Sequence, residues 1–139
     1  MNITPYQFAK MKLKPRGKAQ QSESMTKRQL LGGYRSKLEV EYAEHLYRLK
    51  MFGVIKSYVY EIDKIYYTPT LVRPACYTPD FTVLMADGTL EFHETKGYMW
   101  AKDKIRYRCV QDFLNRQSIK IQIYVITKEG GTWKKDAVK

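Results

Sequence analysis

At 139 residues, 44% of them hydrophobic and 28% charged, the chain has the composition of one ordinary globular domain with enough apolar material for a core. Its 25 Lys and Arg against 14 Asp and Glu leave a formal charge of +11, which favours polyanionic partners, nucleic acid before anionic membrane. No apolar run approaches a membrane span or a signal-peptide core, and Cys76, Cys109, His45 and His93 make neither a disulfide framework nor a zinc-ligand spacing, so a reduced, cytoplasmic protein is expected.

The charge is unevenly spread. Residues 1–34 hold seven Lys and Arg against the single Glu23, more than half of the net excess in a quarter of the chain. With little apolar patterning, a Lys14-Pro15-Arg16-Gly17 break and the polar run Gln20 to Ser24, residues 1–33 read as a mobile basic arm. Lys12, Lys14, Arg16 and Lys18 are its candidate DNA contacts, and Gly32-Gly33 its hinge; a merely solubilising tail is the bland alternative.

A folded body follows over 34–127. From Ser36 to about Lys50, Leu38, Tyr42, Leu46 and Leu49 recur at helical spacing. Ile55 to Ile62 and Ile65 to Thr68 read as strands, and a Pro-containing loop from Pro69 to Thr78 leads into a strand at Asp80 to Met85. Asp87-Gly88 signals a hairpin to a further strand, Leu90 to Lys96. Met99 to Asn115 is a second helix with Ile105, Cys109 and Phe113 at helical spacing, and the alternation Ile119, Ile121, Ile123, Val125 marks a last strand. Residues 128–139 read as a polar tail broken at Gly130-Gly131. The predicted order is helix, four strands, helix, strand: an α/β domain on a mixed central sheet flanked by helices.

The chemistry concentrates where the hairpin ends. Strand side chains alternate between faces, so Leu90, Phe92, Glu94 and Lys96 share one side, and an apolar face ends in a carboxylate and an ammonium. Buried charges are costly unless something binds them. Asp80, at the start of the other hairpin arm, reaches the same end of the sheet. Two carboxylates can hold a divalent metal that makes water nucleophilic and stabilises a leaving oxygen, while an ammonium two residues from one of them orients the nucleophile. Each residue alone also has a bland reading, as a surface ion pair or a turn Asp. A third carboxylate from the first helix is open between Glu39 and Glu41 by periodicity, and Ser36-Lys37-Leu38-Glu39 equally fits a capping box.

His93, of opposite parity to Glu94, is expected to face away and serve structure. Arg35 and Lys37 at the helix start, and Lys102 and Arg106 among the cations of the second helix, are candidate phosphate contacts. Tyr98 and Trp100, just past Lys96, either pack or stack on an unpaired base or branch point.

Pro79-Asp80 followed after a hairpin by Glu94-Thr95-Lys96 resembles the signature of the PD-(D/E)xK nuclease superfamily. The ordered blocks Tyr34 to Glu39, Tyr58 to Glu61, Tyr77 to Phe81 and Glu94 to Gly97 further resemble the phage endonuclease I-type Holliday junction resolvases, over about residues 33 to 126. The resemblance implies a restriction-endonuclease-like core, a divalent metal, Mg²⁺ before Mn²⁺, and an endodeoxyribonuclease acting on branched or four-way-junction DNA in a bacterial or phage-infected cell. By matched position it implies Asp80 and Glu94 as metal ligands, Glu39 as a helix-borne acidic residue of the site and ligand, and Lys96 as the catalytic lysine. A homodimer is the assembly it suggests, with no membrane and no small-molecule cofactor involved. The longer hairpin from Met85 to Thr89 and the extra Met51-Phe52-Gly53 after the first helix depart from the pattern. Two rival readings remain: a non-catalytic basic nucleic-acid-binding module on a nuclease fold, and a transposon or phage nuclease subunit that needs a partner.

Overall fold

The computed structural model describes residues 30–67 and 75–139, so the arm contacts proposed at Lys12, Lys14, Arg16 and Lys18 lie outside the described residues. The contact pattern divides the chain after Met51 into two units. None of the helices in the described residues is long and apolar enough to cross a membrane.

In the first unit Gly32 and Gly33 adopt φ of 69° and 101°, values open to glycine and strained for other residues. Helix α1 (Lys37–Met51) follows. Its N-cap is Ser36, whose Oγ accepts the Glu39 N–H at 3.2 Å, and Glu39 Oε2 in turn accepts the Arg35 N–H at 2.9 Å. The capping expectation is thus met with the return bond displaced by one residue, to Arg35 instead of Ser36. Val40, Tyr42, Ala43 and Leu46 form the buried face. The expected stripe of Leu38, Tyr42, Leu46 and Leu49 is rotated, leaving Leu38 and Leu49 half-buried, because small Val40 and Ala43 also turn inward.

The second unit is built on a mixed sheet of β1 (Ile55–Tyr60), β4 (Phe81–Met85), β5 (Leu90–Thr95), β6 (Ile121–Glu129) and β7 (Thr132–Ala137), in that spatial order. Strand β4 runs antiparallel to both of its neighbours, β1 and β5. Helix α2 (Ala101–Arg116) is the crossover that lets β6 lie parallel to β5, and β7 returns antiparallel to β6. Strands β2 (Ile65–Tyr67) and β3 (Ala75–Tyr77) form a separate two-stranded ribbon. Tyr67 and Tyr77 from this ribbon, Phe92, Ile123 and Val125 from the sheet, and Tyr107, Val110 and Leu114 from α2 make one buried cluster. At about 25 cal/mol per Å² of apolar surface buried, such a cluster supplies the main driving force for docking α2 and the ribbon on the sheet.

Three features differ from the sequence reading. Ala75–Tyr77 falls inside the expected loop yet forms β3, so five strands precede α2; three residues are too few for a periodic signal, and the pairing partner β2 decides the matter. Residues 128–139 are not a polar tail. Lys128 and Glu129 complete β6, Gly130 and Gly131 turn with φ of 55° and 82°, and Thr132–Ala137 adds an edge strand that is almost wholly exposed and half charged. In α2 the inward residues are Tyr107, Val110, Gln111 and Leu114, whereas Ile105 is 63% exposed and Cys109 and Phe113 only border the core. Tyr107 hides this stripe from a hydropathy pattern because its ring is apolar and its hydroxyl polar.

Candidate active site

The hairpin turn sets the geometry of the site. Asp87 Oδ1 accepts both the N–H and the hydroxyl of Thr89, at 2.9 and 2.7 Å, and Gly88 sits at φ 91°. The register that follows pairs Leu84 with Leu90 and Phe81 with His93. One step further in the same register sets Asp80 opposite Glu94, and directly opposed residues of an antiparallel pair share a face with Cβ atoms about 5 Å apart.

Asp80 is held from several sides. Its Oδ2 accepts the Thr95 N–H at 2.9 Å and the Thr95 hydroxyl at 3.0 Å, and its carbonyl accepts the Glu61 N–H at 3.0 Å. Glu61 makes that bond from a left-handed backbone, φ 46°, a conformation that costs a non-glycine residue about 1 kcal/mol. Both carboxylate residues are nearly closed to solvent, Asp80 at 8% and Glu94 at 4% exposure.

Glu94 is the less satisfied of the two. Its Oε2 receives a long bond, 3.4 Å, from the Tyr107 hydroxyl, and its buried Oε1 has no partner in hydrogen-bond geometry, although the Tyr77 hydroxyl and the Asp80 N–H lie close enough to the carboxyl to favour its charged form. The buried Tyr77 hydroxyl, near the same carboxylate, is also without such a partner. Burial, and next the adjacent Asp80 charge, push the Glu94 carboxyl up to about 8, with Tyr77 and Lys96 acting in the opposite direction. Burial and Glu94 together raise the hydroxyls of Tyr77 and Tyr107. These tyrosines therefore stay protonated donors at any working pH.

Lys96 lies one residue beyond β5, where its N–H continues the parallel ladder by donating to the Ile126 carbonyl at 2.9 Å. Its Nζ is 5.8 Å from the centre of the Tyr107 ring. Tyr107 thus touches both Glu94 and Lys96, which puts the ammonium on the carboxylate side of the strand. The same ring lines a cavity of about 410 Å³ that also has Lys104 and Arg108 in its wall. Among the described residues no three His, Cys, Asp or Glu side chains gather as a metal cage. Two carboxylates still suit Mg²⁺, which seldom takes a full protein cage, and an unpartnered buried carboxylate oxygen is the kind of atom such an ion satisfies.

The remaining expected residues fall elsewhere. His93 faces away from the site, as its parity requires, and its Nε2 is 2.7 Å from Glu91 Oε2. Arg106 donates to the Cys76 carbonyl at 3.1 Å and lies over the Tyr77 ring, so it braces β3 against α2, while Lys102 is exposed. Arg35 and Lys37 are exposed at the start of α1. Glu39, also on α1, is buried at 8%, whereas Glu41 is half-buried. Sequence reasoning missed Thr95, Tyr77 and Tyr107. The odd parity of Thr95 hid it, because its contact with Asp80 runs partly through the main chain. No protein-family model, curated protein or solved structure matches the chain.

Proposed function

We propose that the chain is a Mg²⁺-dependent endodeoxyribonuclease on a restriction-endonuclease-like core, selective for branched DNA such as a four-way junction. The observation that carries this reading is the buried, unpartnered Glu94 Oε1 beside Asp80, with Lys96 two residues along the same chain. Leaving a carboxylate oxygen buried without a partner costs about 1–3 kcal/mol or more, and a structural ion pair would have removed that cost.

Asp80 and Glu94 are the residues that would hold the cation, and Glu39 carries over from the resemblance as the helix-borne acidic residue. When bound, Mg²⁺ supplies positive charge that draws electron density from a phosphodiester and makes water a better nucleophile at neutral pH. Thr95 fixes the orientation of Asp80 through two hydrogen bonds, and Tyr107 holds one oxygen of Glu94. Lys96 presents its ammonium to the attacking water and to the charge that grows on the phosphoryl oxygens in the transition state. The net charge of +11 draws the polyanion in.

The test is cleavage of a four-way junction, a matched linear duplex and a single strand, with Mg²⁺ and with EDTA, by the wild type and Lys96→Ala. Metal-dependent cutting of the junction, lost in the variant, is the expected result. Tight binding with no cutting of any substrate would overturn it in favour of a binding module or a partner-dependent subunit.

A further inference from the structure

Immediately after Lys96 the chain exposes two large aromatic side chains, Tyr98 at 67% and Trp100 at 59%. Their rings meet edge to face, with centroids 4.7 Å apart and planes at 71°. An edge-to-face pair leaves an aromatic face open to a further ring. Neither ring is used by the core.

Trp100 also occupies the N-cap of α2, with φ −77° and ψ 154°. Ser, Thr, Asp or Asn is favoured at that position because its side chain accepts first-turn N–H groups, and an indole, a donor only, cannot do this. The backbone there is nonetheless fixed. The Trp100 carbonyl accepts the N–H groups of Asp103 and Lys104, at 3.1 and 3.2 Å, and Asp103 Oδ2 accepts the Trp100 N–H at 3.3 Å. A poorly suited, solvent-exposed side chain on a well-anchored backbone breaks a local stability rule without a visible structural gain, the pattern expected at a functional position. Basic residues bracket the pair in sequence, Lys96 before it and Lys102 after it.

We infer that Tyr98 and Trp100 form a stacking platform for an unpaired nucleobase, and that this platform selects DNA with a branch or single-strand transition next to Lys96. Four residues span at most about 14 Å, so Trp100 stands within about four base steps of Lys96. In continuous duplex each base is already stacked on its neighbours and offers the platform nothing. A branch point supplies an unstacked base, and every base has a π face, so the platform reads structure and not sequence. Lys96 and Lys102 complement the phosphates on either side of that base. The inference rests on the proposed DNA substrate, but not on cleavage.

Binding in EDTA, where cutting does not intervene, separates the two. The probe is a flap or four-way junction carrying 2-aminopurine at the unpaired or branch position, with a fully paired duplex carrying the same label as control. The wild type, Tyr98→Ala, Trp100→Ala and Trp100→Phe are compared after their thermal melts show that each is folded. Wild type and Trp100→Phe are expected to quench the branch label. Trp100→Ala is expected to lose the quench and to bind branched DNA about tenfold more weakly, with duplex affinity unchanged. Unaltered quenching and branch affinity in Trp100→Ala and Tyr98→Ala would overturn the inference, as would an equal loss on branched and paired DNA. Platform-dependent binding by a protein that never cuts would sustain it while sinking the nuclease reading, and metal-dependent junction cutting with selectivity intact in Trp100→Ala would do the reverse.

Discussion

Strand β5 carries two glutamates three residues apart, and they live opposite electrostatic lives. Glu91, on one face, is paired: its Oε2 meets His93 Nε2 at 2.7 Å and Lys135 Nζ at 2.5 Å, and Lys135 also stands 4.1 Å from the centre of the Tyr124 ring. Burial works to raise its carboxyl, yet the hydrogen bonds from His93 and Lys135 hold it below the usual carboxylate range. Glu94, on the other face, has one long bond, one orphaned oxygen and a second carboxylate beside it, and it is pushed up to about 8. Both side chains are well shielded from solvent, so burial alone does not separate them. Partner supply does: the Glu91 face provides the Lys135 ammonium and the His93 ring, and the Glu94 face is left short of positive charge.

This contrast can be broken in graded ways. The largest effect belongs to Lys96→Ala and Asp80→Asn, which are expected to lower metal-dependent DNA cleavage by about 100-fold or more with little change in Tm, because they remove charge needed in the transition state and not in the fold. The corresponding change on the other face, Glu91→Gln, is expected to do the opposite, lowering stability by about 1–3 kcal/mol in denaturant titrations and leaving cleavage near wild type.

The pH dependence of the metal-free fold sharpens the same comparison. Glu94 titrates near 8 in the folded chain against 4.5 for an unperturbed glutamate, so between those values the folded state binds more protons than the unfolded state. Stability therefore falls as pH rises through that window. In EDTA at pH 8, Glu94→Gln is expected to be more stable than wild type by on the order of a few kcal/mol, and Mg²⁺ is expected to raise the Tm of wild type but not of the variant. Glu91 slopes the other way. Its depressed carboxyl contributes stability that is present above the unfolded value and lost as pH falls through the folded one. A variant Glu94→Gln with no advantage at pH 8 would show that the two glutamates are alike.

The smallest expected effect is that of Thr95→Val. It removes the hydroxyl bond to Asp80 Oδ2 but keeps the backbone one, so a loss of about 1 kcal/mol in stability and about tenfold in cleavage follows from a less well-held ligand. Full activity in that variant would mean that the Thr95 N–H alone positions Asp80.

Much of this site is legible in the linear chain because hairpin geometry is local. The Asp87-Gly88 turn fixes a register that pairs Phe81 with His93, the next residues along the two arms are Asp80 and Glu94, and the two-residue period carries Lys96 to the side of Glu94 and His93 to the other. Gly130-Gly131, read from the sequence only as a break, forms a hairpin turn of the same kind, and β7 is hard to read because its residues are polar: an exposed edge strand has one neighbour and no buried face to leave an apolar alternation. Strand β3 has no local signature at all, since three residues become a strand only by pairing with β2. The inward turn of Tyr107 instead of Ile105, the clamp of Thr95 on Asp80 and the missing partner of Glu94 Oε1 belong to the tertiary structure. Alternation and turn chemistry are properties of neighbouring residues and are written in their order. Whether a buried charge finds its counter-charge depends on which distant side chains the packed elements bring within about 3 Å, and only the folded chain decides that.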